Sequence, residues 1–189
     1  MNLPNKITLF RVLLIPFFLF AYLYDPAHGF AGGIVPLTIF ILASVSDALD
    51  GYIARKRNLI TNFGKLMDPL ADKLLVCAAL VAMTARGVLP AWVTVVIVSR
   101  EFIITGLRQL ALEQNLVIAA SFWAKIKTIS QIVMTIFLLV NIPVLLNFSI
   151  LVNNAEILKQ ALIFVTTALT VVSAAEYLYK NRHVYFSKG

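Results

Sequence analysis

Six apolar stretches, each close to 20 residues long and joined by short connections, constrain this chain more than any other feature of its sequence. A bilayer core about 30 Å thick requires roughly 20 residues of α-helix to cross it. Each stretch is therefore predicted to form one membrane-spanning helix. The six predicted spans cover residues 7–24, 33–54, 64–85, 90–112, 124–146 and 157–179.

The composition favours a chain that crosses a membrane. Apolar residues make up 60% of the 189 residues and charged residues 13%, with a mean hydropathy of +0.89, whereas soluble domains carry about 25% charge. A protein that lies on the membrane surface needs a strongly polar face, and the charges here are too few to form one. No connection is long enough for a second domain. We therefore expect one all-α integral membrane domain over residues 1–189, built as a bundle of six transmembrane helices.

The basic residues are spread unequally over the predicted connections. Those after spans one and five contain no Lys or Arg, and the one after span three contains only Arg86. Cationic connections usually mark the cytoplasmic side, so both termini of this multi-pass protein are predicted to lie on the cytoplasmic side of the cell membrane. Because the orientation of the chain in the membrane accounts for much of the formal charge of +7, we expect no nucleic-acid partner.

Four of the nine acidic residues lie between positions 47 and 72, around the connection between spans two and three. On a helix, Asp47, Asp50 and Gly51 follow the spacing of a single face. Gly64, Asp68 and Asp72 repeat every four residues on the next helix and also share a face. Two faces with small residues, each carrying two carboxylates, are thus predicted to pack together.

Four neighbouring carboxylates repel one another, and each is costly to bury near a membrane without a partner. Pairing with Arg55, Lys65 and Lys73 is one solution. The other is a divalent metal, because Mg²⁺ takes one or two carboxylates together with substrate phosphate. A carboxylate-rich pair of sites also suits two-metal chemistry.

The complete acidic segment resembles the signature of the CDP-alcohol phosphotransferase family, which joins a CDP-activated alcohol to a second alcohol and releases CMP. All eight specified positions are present at the family's spacing. The segment reads Asp47-x2-Asp50-Gly51-x2-Ala54-Arg55-x8-Gly64-x3-Asp68-x3-Asp72.

The resemblance implies a role for each aspartate. Asp47, Asp50 and Asp68 would hold two Mg²⁺ ions, with Mn²⁺ as the alternative ion. Asp72 would complete the metal site and take the proton from the attacking hydroxyl. Bound ions of this kind neutralise the charge of a diphosphate and stabilise the leaving group.

Five further residues are candidates for binding the CDP-activated lipid, CDP-diacylglycerol. By resemblance, Gly51 would let the nucleotide approach the backbone, Arg55 would contact a phosphate, and Thr61 would contact the nucleotide. Thr8 and Arg11 are candidates for binding the cytidine or the diphosphate. Each has a simpler alternative: helix packing for Gly51, snorkelling for Arg55, an ordinary loop position for Thr61, and anchoring at the lipid headgroups for Thr8 and Arg11.

Three more stretches resemble the branch of this family whose acceptor alcohol is glycerol 3-phosphate. This resemblance extends to most of the chain, with one departure at Ala124, where glycine is expected. The stretches run over residues 2–11, 100–108 and 125–131.

The last two stretches carry four basic residues predicted to bind the phosphate of the acceptor. Arginine forks hold such a dianion well. At about 100° per residue, Arg100 and Arg108 lie roughly 80° apart on one helix, so both can border one pocket. Lys125 and Lys127 lie roughly 200° apart, so one of the two is expected to face lipid headgroups. Glu101 is expected to pair with one of the arginines and orient it. The alternative for the four basic residues is ordinary cytoplasmic loop charge.

Two other functions stay open at this stage. Another family member would use a different acceptor, as the cardiolipin, phosphatidylserine and phosphatidylinositol phosphate synthases do. An ion or metabolite transporter would also carry acids within the membrane, although paired repeats, which are common in transporters, are absent from this sequence. The family resemblance further implies a homodimer surrounded by membrane lipids.

Overall fold

A computed structural model describes residues 3–24, 30–57, 62–113, 116, 118, 121–140 and 149–182. Within these ranges the chain forms six α-helices and no strand. The helices are α1 Leu3–Leu23, α2 Phe30–Arg57, α3 Asn62–Ala85, α4 Ala91–Glu113, α5 Phe122–Val140 and α6 Ser149–Lys180.

The observed helices match the predicted spans in number and order, and the all-α prediction is confirmed for the described part of the chain. Two of the described helical stretches, Phe122–Val140 and Ala155–Lys180, are long and apolar enough to cross a membrane. Shorter apolar helical stretches cover Leu9–Leu23, Gly33–Ser46 and Lys73–Ala85. Six membrane crossings and the orientation of the termini stay predictions.

The chain divides into two compact units. The first comprises Met1–Val88 with Leu138–Asn147, and the second comprises Leu89–Phe137 with Phe148–Gly189. The prediction of a single domain over residues 1–189 stays a prediction.

In the first unit, α1 packs against α2 and α3. Phe18 is fully buried, and its ring stacks on Tyr22 and meets Phe40 of α2 at a tilt. The other face of α1 exposes large apolar side chains, including Phe17 and Phe20. Large apolar side chains on an outer surface are typical of a helix that faces lipid.

Helix α3 ends in a turn that brings Arg86 back onto α1. Gly87 has a φ of 69°, and the backbone N–H groups of Gly87 and Val88 donate to the carbonyls of Thr84 and Met83, the pattern of a Schellman cap. The Arg86 guanidinium lies over the ring of Tyr22, 5.1 Å from its centroid. This cation–π contact joins the C-terminal ends of α1 and α3.

The second unit is built around α4 and α6, which pack together. Ser121 caps the start of α5, because its Oγ accepts a hydrogen bond from the backbone N–H of Ala124 at 3.2 Å. Several polar side chains of this unit are buried, whereas large apolar ones such as Phe164 are exposed. The buried polar residues are Thr94, Lys127, Gln131, Thr135, Thr166, Thr167, Thr170 and Ser173.

Candidate functional site

The four aspartates of the acidic segment lie on two helices of the first unit that contact each other. Helix α2 continues past Asp47 and Asp50 to Arg57 without interruption, and α3 carries Asp68 and Asp72. Residues three or four apart on a helix lie about one turn apart. The helical spacing on which the predicted carboxylate pairs depend is therefore present.

The side chains of residues 47–70 and of Asp72 lie outside the described part of the structure, as does all of Thr61. This range includes Gly51 and Arg55. Whether these residues suit a metal ion is therefore judged from the chemistry of their carboxylate groups. Carboxylate oxygens are the ligands preferred by Mg²⁺ and Mn²⁺, and four of them on two contacting helices suit a pair of such ions.

Two candidates for binding the CDP-lipid lie on α1. The side chain of Thr8 is outside the described part, whereas that of Arg11 is buried, with 1% exposure. Because α1 packs against both α2 and α3, Arg11 belongs to a helix that contacts both helices of the acidic segment. A charged side chain is costly to bury, so its burial requires polar surroundings.

In the second unit, a buried ionic cluster joins α4 to α5. Glu101 Oε1 accepts from two cations: Arg100 Nη1 lies 3.2 Å away, and Lys127 Nζ donates to the same oxygen. The side chains are 10%, 12% and 1% exposed for Arg100, Glu101 and Lys127, respectively. The expected pairing of Glu101 with an arginine is thus confirmed for Arg100.

A contact with α6 completes this cluster. Arg100 Nη2 donates to Ser173 Oγ at 3.2 Å, and Ser173 is fully buried. Two cations and one carboxylate leave an excess of positive charge among these four residues. A buried site with such an excess is suited to bind an anion, since charge-assisted hydrogen bonds are the strong ones.

The other two basic candidates of this unit lie elsewhere on their helices. Arg108 and Lys125 are both exposed, and neither side chain forms a hydrogen bond or ion pair within the described part of the chain. Lys125 and Lys127 thus differ sharply in burial, as their predicted separation around the helix implies. The structure brings together Arg100 and Lys127 but gives no contact that joins Arg108 or Lys125 to them.

Sequence reasoning missed Ser173. A signal was present, because Thr166, Thr170 and Ser173 are spaced four and three residues apart and form a polar stripe on an otherwise apolar helix. All three are fully buried, and Thr166 hydrogen-bonds to Ser130 of α5 at 2.7 Å. Such a stripe indicates a face that contacts polar groups of neighbouring helices.

Comparison with known proteins identifies the family to which the chain belongs. The sequence profile of the CDP-alcohol phosphatidyltransferase family matches residues 1–172. The chain is 44% identical to the CDP-diacylglycerol–glycerol-3-phosphate 3-phosphatidyltransferase of Bacillus subtilis, over 95% of each chain.

Two other relatives carry the same name. The Haemophilus influenzae protein is 42% identical over 69% of this chain and 71% of its own length. The Rickettsia typhi protein is 31% identical over 98% of this chain and 99% of its own. The extent of these matches confirms the resemblance that the acidic signature suggested: the chain is a transferase and belongs to the CDP-alcohol phosphatidyltransferase family.

Proposed function

We propose that this chain is a CDP-diacylglycerol–glycerol-3-phosphate 3-phosphatidyltransferase, that is, a phosphatidylglycerophosphate synthase. The observation that carries the choice of acceptor is the buried contact of Arg100 and Lys127 with one carboxylate oxygen of Glu101. An acceptor with a dianionic phosphate matches the excess positive charge of this cluster. The names of the relatives from Bacillus, Haemophilus and Rickettsia support the same acceptor.

The reaction is a displacement at the phosphorus atom that bears diacylglycerol. A hydroxyl of glycerol 3-phosphate forms a new oxygen–phosphorus bond, and the bond from that phosphorus to the bridging oxygen of the diphosphate breaks. CMP leaves with the bond's electron pair. Asp72 takes the hydroxyl proton, which increases the nucleophilicity of the attacking oxygen.

The four aspartates Asp47, Asp50, Asp68 and Asp72 would hold two Mg²⁺ ions, with Mn²⁺ as the alternative. When bound, such ions supply positive charge to a diphosphate and to its leaving group. Asp72 would combine this role with that of the base.

The two substrates would use separate sets of side chains. Gly51, Arg55, Thr61, Thr8 and Arg11 would bind CDP-diacylglycerol. For the phosphate of glycerol 3-phosphate, the largely buried Arg100 and the buried Lys127 would make direct contacts. The exposed Arg108 and Lys125 would attract the anion through longer-range electrostatics.

The setting of this activity is a multi-pass protein of the cell membrane, with both termini and the active site on the cytoplasmic side. Six transmembrane helices would form one domain over residues 1–189, in a homodimer surrounded by lipid. Two helices of sufficient apolar length support this setting. The exposed apolar side chains of α1 support it as well.

The test is CMP release by purified protein supplied with CDP-diacylglycerol and Mg²⁺. The acceptors compared are glycerol 3-phosphate, phosphatidylglycerol, serine and inositol phosphate. Turnover is expected with glycerol 3-phosphate. With each of the other acceptors, CMP release is expected to be at least about tenfold slower, which corresponds to a difference of about 1.4 kcal/mol in activation free energy. CMP release that does not depend on glycerol 3-phosphate would show that the assignment is wrong.

A further inference from the structure

We propose that Ser173 is a positioning residue that holds Arg100 for recognition of the acceptor's phosphate. This inference rests on the proposed function and adds a residue of α6 to it. Ser173 lies one position beyond the segment matched by the family profile, which ends at residue 172. Its assignment therefore depends on contacts within the second unit.

The hydroxyl of Ser173 has a fixed orientation. It donates to the backbone carbonyl of Thr170 at 3.1 Å, and its single proton is thereby used. The lone pairs of Oγ remain as acceptors, and Arg100 Nη2 donates to them at 3.2 Å. Because Ser173 is fully buried, water does not compete for this contact.

Arg100 is held at both ends of its guanidinium group. Nη1 contacts Glu101 on the same helix, and Nη2 contacts Ser173 on α6. Two contacts from different helices fix the plane of the guanidinium, whereas Glu101 alone would leave it able to rotate. A fixed plane matters because arginine recognises phosphate through the direction of its N–H groups.

One nitrogen of this guanidinium makes neither of these contacts. Arg100 Nε is buried and makes no hydrogen bond within the described residues. A buried donor without an acceptor is costly, and a phosphate oxygen of the acceptor would satisfy it with a charge-assisted hydrogen bond. With the plane fixed by Ser173, this N–H is directed before the substrate arrives. Because the arginine side chain is already ordered, binding of the acceptor does not lose free energy in ordering it.

The experiment measures initial rates of CMP release for Ser173→Ala, varying each substrate in turn. The KM for glycerol 3-phosphate is expected to rise about tenfold, the effect of one charge-assisted hydrogen bond. The KM for CDP-diacylglycerol is expected to stay within about twofold of the wild-type value. General loosening of the fold would impair both substrates, so this separation distinguishes positioning from a merely structural role.

Thr167→Val provides the matched control. Thr167 is also a buried hydroxyl of α6, but it donates to the carbonyl of Ile163 in its own helix. Neither KM is expected to change in this variant. Where Ser173→Ala does not yield folded protein, Ser173→Cys provides the same comparison, because it nearly preserves the volume and replaces the hydroxyl with a weak acceptor.

The decisive measurement is a double-mutant cycle with Arg100→Lys. Lysine has no Nη2, so the Ser173→Ala change is expected to alter the KM for glycerol 3-phosphate by less than about twofold in that background. Independent, multiplicative effects would overturn the inference, as would a Ser173→Ala enzyme that behaves like Thr167→Val. If the wild-type protein releases no CMP with glycerol 3-phosphate, the proposed function itself fails.

Discussion

Lys127 Nζ of α5 donates a hydrogen bond to Glu101 Oε1 of α4, and both side chains are almost entirely withdrawn from solvent. The same oxygen also contacts Arg100. A single carboxylate thus holds two cations that would otherwise repel each other. The cluster is at once a structural tie between two helices and the candidate binding site for an anion.

Glu101→Gln is expected to destabilise the protein. The substitution removes the negative charge that both buried cations contact, and breaking a buried ion pair costs about 3–5 kcal/mol. Thermal unfolding of the purified protein in detergent would measure this loss. Glu156→Gln is the control, because Glu156 forms an exposed pair with Lys159, and such pairs contribute about 0–1 kcal/mol. Equal unfolding curves for the two variants would contradict the structural role of Glu101.

Asp72→Asn is expected to lower kcat by about 10²–10⁴-fold, the usual contribution of a general base. The amide cannot accept the proton of the attacking hydroxyl, whereas binding of CDP-diacylglycerol is expected to be largely retained. CMP release and binding of the CDP-lipid would be measured on the same preparation. Asp25→Asn, outside the four-aspartate segment, serves as the control. Retained turnover in Asp72→Asn would exclude Asp72 as the base.

Removal of divalent metal is expected to abolish CMP release. Treatment with a chelator would leave the aspartates without the ions that they are proposed to hold, and added Mg²⁺ or Mn²⁺ would restore the rate. The rate would be followed across a metal titration. Asp47→Asn and Asp68→Asn are each expected to shift that titration to higher metal concentration. Full activity after chelation would contradict the metal site.

Two helical glycines are expected to respond in opposite directions to a methyl group. A Cβ on Gly33 of α2 would lie 3.1 Å from the backbone oxygen of Leu139, whereas a Cβ on Gly106 of α4 would meet nothing within 4 Å. Gly106→Ala should therefore gain about 0.5–1 kcal/mol of stability through lower backbone entropy. Gly33→Ala should lose about 1 kcal/mol through overpacking. Unfolding midpoints that rise equally would show that the carbonyl at Leu139 can move aside.

The number and order of the helices could be predicted because hydrophobic length alone defines them. Helix α3 ends at Ala85 in both prediction and structure, since Gly87 there adopts the positive φ that favours glycine. Helix α6 begins at Ser149, well before the predicted position 157. Polar residues such as Asn153 and Asn154 interrupt the apolar pattern without ending the helix, and tertiary packing overrides such local preferences.

The site was predictable to a different degree in each unit. The acidic segment is local in sequence, so the spacing of Asp47 to Asp72 carries its signal. The ionic cluster joins three helices, and the contact of Arg100 with Ser173 spans 73 residues. Helical periodicity could separate Lys125 from Lys127, but it could not say which one is buried. Which lysine is buried depends on which face of α5 packs against a neighbouring helix. The sequence of α5 alone does not specify that face.

Arg86 has a packing role that a count of basic residues in the connections does not reveal. It is the only basic residue in the connection between predicted spans three and four, and by charge counting it weakens the contrast between the two sides of the membrane. Its guanidinium, however, rests on the ring of Tyr22, a contact that contributes about 0.5–2 kcal/mol. The contact holds the C-terminal ends of α1 and α3 together. The exception to the charge asymmetry thus has a packing cause, and Arg86 gives little information about the side of the membrane on which its connection lies.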